Sequence, residues 1–228
     1  MISELVPSAR LRPWVDAYWM RPAEEITECV LPDGCVDIVF SLDQGTAMIV
    51  GAMTRSLVLR GGTPSYFGVR FRPGRAGAFL RFPLAEITDG SAEFDDVALA
   101  ERVAEARTPV ARIEAIDAWL MRHAVEPDPR VDRAVALLAS GRSVDEVAHE
   151  VNLSRQHLRR RFLRQVGVAP KTFARVIRFQ RLVASIRRDA NLSWAAAAAD
   201  TGYFDQSHLI ADFRDFAGTT PVPFFLSP

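Results

Sequence analysis

The residues with the clearest chemical potential are cations gathered in one segment of the chain. Residues 154–188 contain ten arginines and Lys171 but no aspartate or glutamate, so these 35 residues have a net charge of +11. Arginine donates paired hydrogen bonds to phosphate oxygens and to the edge of guanine, which makes such a segment typical of a nucleic-acid-binding surface. Composition alone leaves a second interpretation equally open, that of a solvated basic helix face.

The basic segment belongs to a chain whose overall charge is balanced. Its 228 residues include 28 basic and 28 acidic side chains. Residues 1–126 nevertheless have a net charge of −5, and residues 127–228 have a net charge of +5. Because the sequence Glu-Pro-Asp-Pro at 126–129 interrupts the periodic pattern between these parts, we predict two domains, 1–126 and 127–228.

Other reactive side chains form no familiar catalytic motif. The sequence contains no phosphate-binding loop, Gly-x-Ser-x-Gly, His-Glu-x-x-His or Cys-x-x-Cys, so neither an enzyme nor a cofactor is expected. His157 and His208 lie beside core leucines, which favours packing over metal binding. Cys29 and Cys35 flank a turn and are interpreted as buried apolar thiols. The alternative function is DNA-linked repair or thiol sensing at these two cysteines.

The first 126 residues alternate short apolar runs with turn signals. This pattern predicts a small antiparallel β-barrel or sandwich, followed by helices over 97–106 and 110–123. Glycine, aspartate and proline at the breaks favour tight turns between consecutive strands. The predicted strands cover Trp14–Met20, Ile26–Leu31, Val36–Leu42, Ala47–Gly51, Ser56–Arg60 and Tyr66–Arg72.

Residues 127–228 have helical periodicity throughout and contain a repeat offset by 51 residues. A capping box at 143–146 opens a short helix before the first copy, and a long helix over 171–188 joins the two copies. The second domain is therefore predicted to be all α, with two helix-turn-helix units, and the whole chain to be α+β. The repeated residues are Ser154, His157, Leu158, Phe162, Gly167, Pro170 and Phe173, which correspond to Asp205, His208, Leu209, Phe213, Gly218, Pro221 and Phe224.

This duplicated pattern resembles the C-terminal DNA-binding domain of the AraC/XylS family of bacterial transcription regulators. The resemblance covers residues 131–226 and rests on LSRQHL at 153–158, GVAP at 167–170 and GYFDQSHL at 202–209. In addition, LPDGCVD at 31–37 and FRPG at 71–74 resemble a subgroup whose sensor domain has no settled function. The resemblance implies a sequence-specific transcription regulator that binds double-stranded DNA.

In that family the third helix of each unit enters the major groove, which identifies the expected DNA-binding residues. Gln156, Arg159 and Arg160 occupy positions of base-reading side chains, since glutamine can pair with adenine and arginine with guanine. The other expected contacts are Arg155, Arg164 and Arg175 to phosphates, and Gln206, Ser207 and Ile210 from the second unit.

The second unit is more acidic than the first. Residues 189–228 contain five aspartates and a single cation, Arg214, which gives a net charge of −4. We therefore expect the first unit to provide most of the affinity for DNA. Replacement of Asp212 by Asn is expected to tighten binding, because it would remove repulsion from phosphates.

The remaining expectations concern partners and location. The resemblance implies that residues 1–126 sense a small-molecule effector or mediate dimerisation, with the effector-binding residues unassigned, a homodimer expected and contact with RNA polymerase left open. No stretch of the sequence has the ~20 apolar residues of a membrane span, and its start lacks the apolar segment of a secretory signal. A cytoplasmic protein with no membrane partner is expected.

Overall fold

The structure is a computed structural model that describes residues 2–188 and 193–226. Its N-terminal part contains an open six-stranded antiparallel sheet in the order β1-β2-β7-β4-β5-β8, and a separate two-stranded antiparallel ribbon of β3 and β6. The strands are β1 (Ser3–Leu5), β2 (Val15–Arg21), β3 (Glu24–Val30), β4 (Val36–Ser41), β5 (Thr46–Val50), β6 (Leu57–Thr63), β7 (Tyr66–Phe71) and β8 (Ser91–Glu93).

The α+β fold and the antiparallel strands predicted from the sequence are confirmed, but the strands do not close into a barrel. Each of the six predicted runs overlaps one strand, from β2 to β7, with ends that differ by up to three residues. The edge strands β1 and β8 were not predicted, because each has only three residues and neither has a strong apolar pattern. The alternation of β2 places Tyr18 in the core, where Phe40, Phe67 and Phe71 are also fully buried.

The described helices begin and end at local signals that the sequence contains. Ser143 and Glu146 form the predicted capping box, Ser154 accepts a hydrogen bond from the backbone of His157, and Gly167 ends the next helix at a positive φ. The helices are α1 (Val97–Glu105), α2 (Pro109–His123), α3 (Pro129–Ala139), α4 (Val144–Glu150), α5 (Arg155–Val166), α6 (Pro170–Arg188), α7 (Trp194–Thr201), α8 (Gln206–Ala217) and α9 (Pro221–Leu226).

The first helix-turn-helix unit, α3 to α5, shares one continuous hydrophobic core with the N-terminal sheet. Two glycines show how closely the parts approach. A Cβ atom at Gly74 would lie 3.1 Å from a methyl group of Val135 on α3, and one at Gly167 would lie 3.3 Å from the carbonyl oxygen of Leu84. The domain boundary at 126 and 127 stays a prediction, but no gap in the packing separates the sheet from α5.

A buried glutamine holds the polar part of this junction. The Gln165 side chain on α5 donates hydrogen bonds to the Gly74 carbonyl at 3.1 Å and to Asp132 at 3.0 Å. Its carbonyl oxygen accepts from the backbone N–H of Asp128 at 3.1 Å. Nearby, Arg75 forms an ion pair with the other carboxylate oxygen of Asp132 at 2.6 Å. These bonds fix α5 to the segment that follows β7, the 3₁₀ region, which contains short 3₁₀ helices at Ala76–Ala78 and Leu84–Ile87.

The second unit, α7 to α9, packs around a separate core. Phe179 on α6 contacts Phe213 and Phe216 on α8, with ring centroids 5.1 and 5.3 Å away. The long helix α6 contributes Phe173 to the first core and Val176 onwards to the second. The two units are therefore joined mainly through α6.

We predict that Gln165→Ala lowers the free energy of unfolding by about 1–3 kcal/mol, because it leaves the buried groups of Gly74 and Asp128 without partners. Urea denaturation followed by circular dichroism and tryptophan fluorescence measures the change. The exposed Gln156 on the same helix provides the control, and Gln156→Ala should change stability by less than about 0.5 kcal/mol. Equal stability of the two variants would show that the Gln165 junction contributes nothing.

Candidate nucleic-acid interface

The first unit presents one face of α5 to solvent. The short helix α4 leads into a turn at Asn152, whose φ of 53° is one that asparagine tolerates, and α5 then begins after Ser154. Leu158, Phe162 and Val166 fall on the buried face of α5. The predicted contact residues Gln156, Arg159, Arg160 and Arg164 are all exposed on its other faces.

Ion pairs within the protein divide the cations of α5 into two sets. Arg155 pairs with Asp145, and Arg161 pairs with Asp128 at 2.5 Å. By contrast, Arg159, Arg160 and Arg164 have no hydrogen bond or ion pair within residues 2–188 and 193–226. Their guanidinium groups are therefore available to an external anion without breaking a contact in the protein.

Arg175, the third predicted phosphate contact, points into the protein. Its guanidinium donates two hydrogen bonds to Asp212, at 2.7 and 2.9 Å, and one to Asp215 at 2.5 Å. The side chain retains 31% of its exposure. The Arg175 phosphate contact stays a prediction, but a phosphate would have to compete with two carboxylates for this side chain.

Two cations that the sequence analysis did not select lie between the units. Lys171 and Arg181 are exposed on α6 and line a cleft of about 980 Å³ that also touches Arg142, Arg155 and Ala211. Neither Lys171 nor Arg181 has an ion-pair partner in the described part of the chain. Their position in the acid-free basic segment of the sequence was the available signal.

The second unit presents a less basic face. Gln206 and Ser207 are exposed at the start of α8, whereas Ile210 is half-buried and packs against the second core. Phe204, in the turn before α8, is 93% exposed. The sequence analysis missed Phe204 as a candidate, although an aromatic residue beside the Asp205 cap of a reading helix was a usable signal.

The second unit also exposes less negative charge than the sequence-based interpretation assumed. Asp212 is not an exposed acid: it is 1% exposed and is paired with Arg175 and Arg178 on α6. The net charge of −4 thus includes carboxylates that cations outside 189–228 neutralise. Asp189, which also contributes to that sum, lies outside the described residues.

The N-terminal part borders the solvent face of α5. Pro83 and Ala85, from the 3₁₀ region, line a groove with Gln156, Arg160 and Arg164. A neighbouring cleft brings Arg81 to the same side as Arg160 and Arg164. DNA bound to α5 would therefore pass close to residues 81–85.

The two cysteines lie at a different place, in a cleft between the N-terminal part and α6, and both are half-buried where the sequence predicted buried thiols. Burial raises the pKa of the Cys35 thiol well above its ordinary value, and the carboxylates of Asp33 and Asp37 raise it further. Burial likewise raises the pKa of Asp37 to about 7, against the lowering effect of Arg70. A thiol in these surroundings is a poor nucleophile at neutral pH, because the thiolate is the reactive form.

Two parts of the chain match known domain families. Residues 3–93 match a domain family of unknown function, DUF6597, and residues 147–225 match a helix-turn-helix domain family. The C-terminal part is therefore a DNA-binding domain of the helix-turn-helix class. More particularly, it is an AraC-type helix-turn-helix domain, which confirms the resemblance seen in the sequence and supports a DNA-binding transcription regulator.

Several solved structures are similar to this chain at low sequence identity. A DNA-binding transcriptional dual regulator from Escherichia coli K-12 is 24% identical, with 44% of this chain and 92% of that chain covered and a TM-score of 0.36. ToxT from Vibrio cholerae is 8% identical, with 91% and 97% covered and a TM-score of 0.46. A ToxT structure with bound unsaturated fatty acid has 8% identity, 91% and 94% coverage and a TM-score of 0.43. A search of curated proteins gives no match.

Two further findings concern membrane-spanning helices and metal sites. Within the described residues, no helix combines the length and the apolar character that a membrane crossing requires. The same residues hold no group of three or more histidine, cysteine, aspartate or glutamate side chains arranged to bind a metal ion.

We predict that Cys35 reacts slowly with thiol reagents in the folded protein. In Cys29→Ser, where Cys35 is the only thiol, alkylation by iodoacetamide at pH 7.5 should be at least about tenfold slower than that of free cysteine, because burial and nearby carboxylates disfavour the thiolate. Mass spectrometry measures the rate, and urea should restore it. Reaction faster than free cysteine would instead favour the repair or thiol-sensing alternative.

Proposed function

We propose that this protein is a sequence-specific transcription regulator that reads a DNA major groove chiefly with α5. The observation that carries the proposal is the division of α5 into two faces. Leu158, Phe162 and Val166 anchor one face in the core, while Gln156, Arg159 and Arg160 are exposed on the others without partners in the described residues. A helix fixed in this way can present its polar face to a groove with little reorganisation.

The side chains of α5 suit base recognition. Arg159 and Arg160 can each donate two hydrogen bonds to O6 and N7 of guanine, and Gln156 can pair with N6 and N7 of adenine. The remaining exposed cations, Arg164, Lys171 and Arg181, suit phosphates, which set the position of the protein without reading sequence. Arg155 suits them as well, because its ion pair with Asp145 is exposed and such pairs stabilise a protein by about 1 kcal/mol or less.

We assign the second unit a smaller share of the affinity. Gln206 and Ser207 can form hydrogen bonds with bases or phosphates, and Phe204 can contact the methyl group of thymine. Ile210 is better suited to the second core than to DNA, since it already packs there. The low exposed positive charge of α8, rather than repulsion by Asp212, is the reason for the smaller share.

Arg160→Ala should weaken binding to an operator selected in vitro from random DNA by about 1–3 kcal/mol and relax the preference at one or two base pairs. Arg161→Ala is the matched control, because it removes the same charge from the same helix at a side chain already paired with Asp128. Fluorescence anisotropy on the operator and on a scrambled duplex, at fixed salt, separates specific from general binding. Equal losses for the two variants would contradict base reading by Arg160.

The same anisotropy assay, run over a range of salt concentrations, tests whether the wild-type protein binds the DNA backbone. With roughly 5 phosphate contacts, the logarithm of the wild-type association constant should fall with the logarithm of salt concentration at a slope of about −4 to −5. A slope near zero would mean that the basic segment does not bind the DNA backbone.

We further infer that residues 1–126 regulate DNA binding, by sensing a small molecule or by mediating dimerisation, with contact to RNA polymerase left as a further step. The shared core supports this inference, because a change in the sheet must act on the packing of α5. A second route runs to α6, where Gln180 donates a hydrogen bond to the Pro32 carbonyl at 2.5 Å. Beside it, a cleft of about 800 Å³ is lined by Cys29, Cys35, Gln180 and Arg187 among others.

The sensing proposal predicts that small molecules which raise the melting temperature of the full chain also change its affinity for the operator. This coupling follows from linkage, since a ligand that favours one arrangement of α5 and α6 alters DNA binding by its differential affinity. Thermal-shift screening of metabolites followed by anisotropy measures it, and sedimentation velocity tests the dimer. Stabilising compounds that leave operator affinity unchanged, together with a monomeric chain, would contradict both forms of regulation.

A further inference from the structure

The two reading helices belong to different cores, so their relative orientation needs a separate explanation. The last fully buried residue of α6 in the core shared with the sheet is Phe173, and the first in the core of the second unit is Val176, although half-buried Ile177 still packs against the first core. Apolar contacts between α6 and α8, such as those of Phe179 with Phe213 and Phe216, are not directional. They hold α8 against α6, and bonds with a preferred direction between the same helices would fix its rotation and sliding more closely.

A buried network of charged side chains lies in the same interface. The Asp212 carboxylate on α8 is 2% exposed, and both of its oxygens are bonded to α6. Arg175 donates to one oxygen at 2.7 and 2.9 Å, and Arg178 donates to the other at 2.9 Å. The planar guanidinium groups make these bonds sensitive to angle as well as distance.

Aromatic and polar neighbours limit how the two arginines can move. The Arg178 guanidinium lies 4.5 Å from the ring centre of Tyr203 and 3.2 Å from the Nε2 atom of His208. The Arg175 guanidinium lies 5.0 Å from the ring centre of Phe216 and also donates to Asp215 at 2.5 Å. The network therefore connects one face of α6 to residues before, within and near the end of α8.

Buried ion pairs contribute little net stability compared with apolar side chains of the same size, but they can select one arrangement among several. Here the selected arrangement is the rotation of α8 relative to α6, and hence relative to α5. Two helices that read successive major grooves on one side of a duplex must match a repeat of ~34 Å. A rotation or shift of α8 would move its contacts to different base pairs.

We propose that Asp212, held by Arg175 and Arg178, is a positioning residue that sets the spacing of the two DNA subsites this protein accepts. The proposal rests on the proposed function, because it requires both α5 and α8 to engage DNA. Asp212 itself has no contact with DNA in this arrangement; its carboxylate acts through the orientation of α8.

The experiment uses the full chain and the operator selected in vitro by the wild-type protein. Duplexes with one or two base pairs inserted or deleted between the subsites measure spacing preference, and a duplex with the α8 subsite scrambled measures binding by α5 alone. We expect the wild type to lose about tenfold or more in affinity when the spacing changes, the size of one poorly matched base pair.

The sequence-based expectation that Asp212→Asn tightens binding is reversed, because Asp212 is buried and paired with Arg175 and Arg178. In Asp212→Asn, affinity for the original spacing should fall by about tenfold while binding to the scrambled duplex stays within about twofold of the wild type. The difference between spacings should then largely disappear. Asp200→Asn is the control: it removes the same charge from an exposed position on α7 and should retain the wild-type spacing preference.

Arg175→Lys keeps the positive charge but loses the paired hydrogen bonds from the guanidinium to Asp212. This variant tests the proposal if Asp212→Asn unfolds the second unit. Circular dichroism establishes that this variant is folded. A folded Arg175→Lys that keeps the full spacing preference would overturn the proposal, as would a wild type that binds all spacings equally. Failure of the wild type to bind any selected duplex would instead overturn the proposed function.

Discussion

The packing of α5 against the N-terminal sheet is the constraint on which the rest of the structure depends. In an isolated helix-turn-helix unit the reading helix is held by its own two neighbouring helices. Here Leu84 and the 3₁₀ region around Gly77 also close over the buried side of α5, with Gln165 satisfying the polar groups at the seam. Because close-packed interiors transmit small displacements, a displacement of the sheet would reach α5.

The second unit is attached by a different kind of interaction. The apolar core holds the second unit against α6. The bonds of the Asp212 carboxylate to the guanidinium groups of Arg175 and Arg178 orient α8 relative to α6. The first reading helix is thus positioned by shape, over a large shared surface, and the second by a few oriented bonds. The two units therefore differ both in the contacts that hold them and in their exposed positive charge.

Many helix boundaries in residues 127–228 could be predicted from the sequence, because the residues that begin and end a helix lie next to it in the chain. Ser154 and Gly167 mark the limits of α5 in the sequence and in the structure, and the repeat predicted the second unit from the first. The alternation of apolar residues likewise predicted β2 to β7. Strand order, the open sheet and the separation of β3 and β6 depend on pairing between distant segments, which alternation does not encode.

The candidate contacts on α5 could be predicted from their positions in the repeat, but the partners of Arg175 and Arg178 could not. Asp212 is 37 residues from Arg175, and nothing in the local sequence of either helix indicates the pairing. A sum of charges over a segment treats every aspartate as exposed. Phe204 was overlooked for a related reason: the spacing rules that locate a core residue say nothing about an aromatic side chain left outside it.

The partition of charge within the fold also explains how an acidic N-terminal part can adjoin a DNA-binding helix. Its net charge is −5. From this part, Pro83, Ala85 and Arg81 border the solvent face of α5, and Glu126 lines the same cleft as Arg81. At physiological salt, charges beyond about 8 Å are largely screened. Phosphates near α5 would therefore meet Arg81, Arg160 and Arg164 together with Glu126 and with Asp128, which is paired with Arg161. Acids on other faces of the N-terminal part discourage DNA there, so the opposite charges of the two parts favour one orientation of binding.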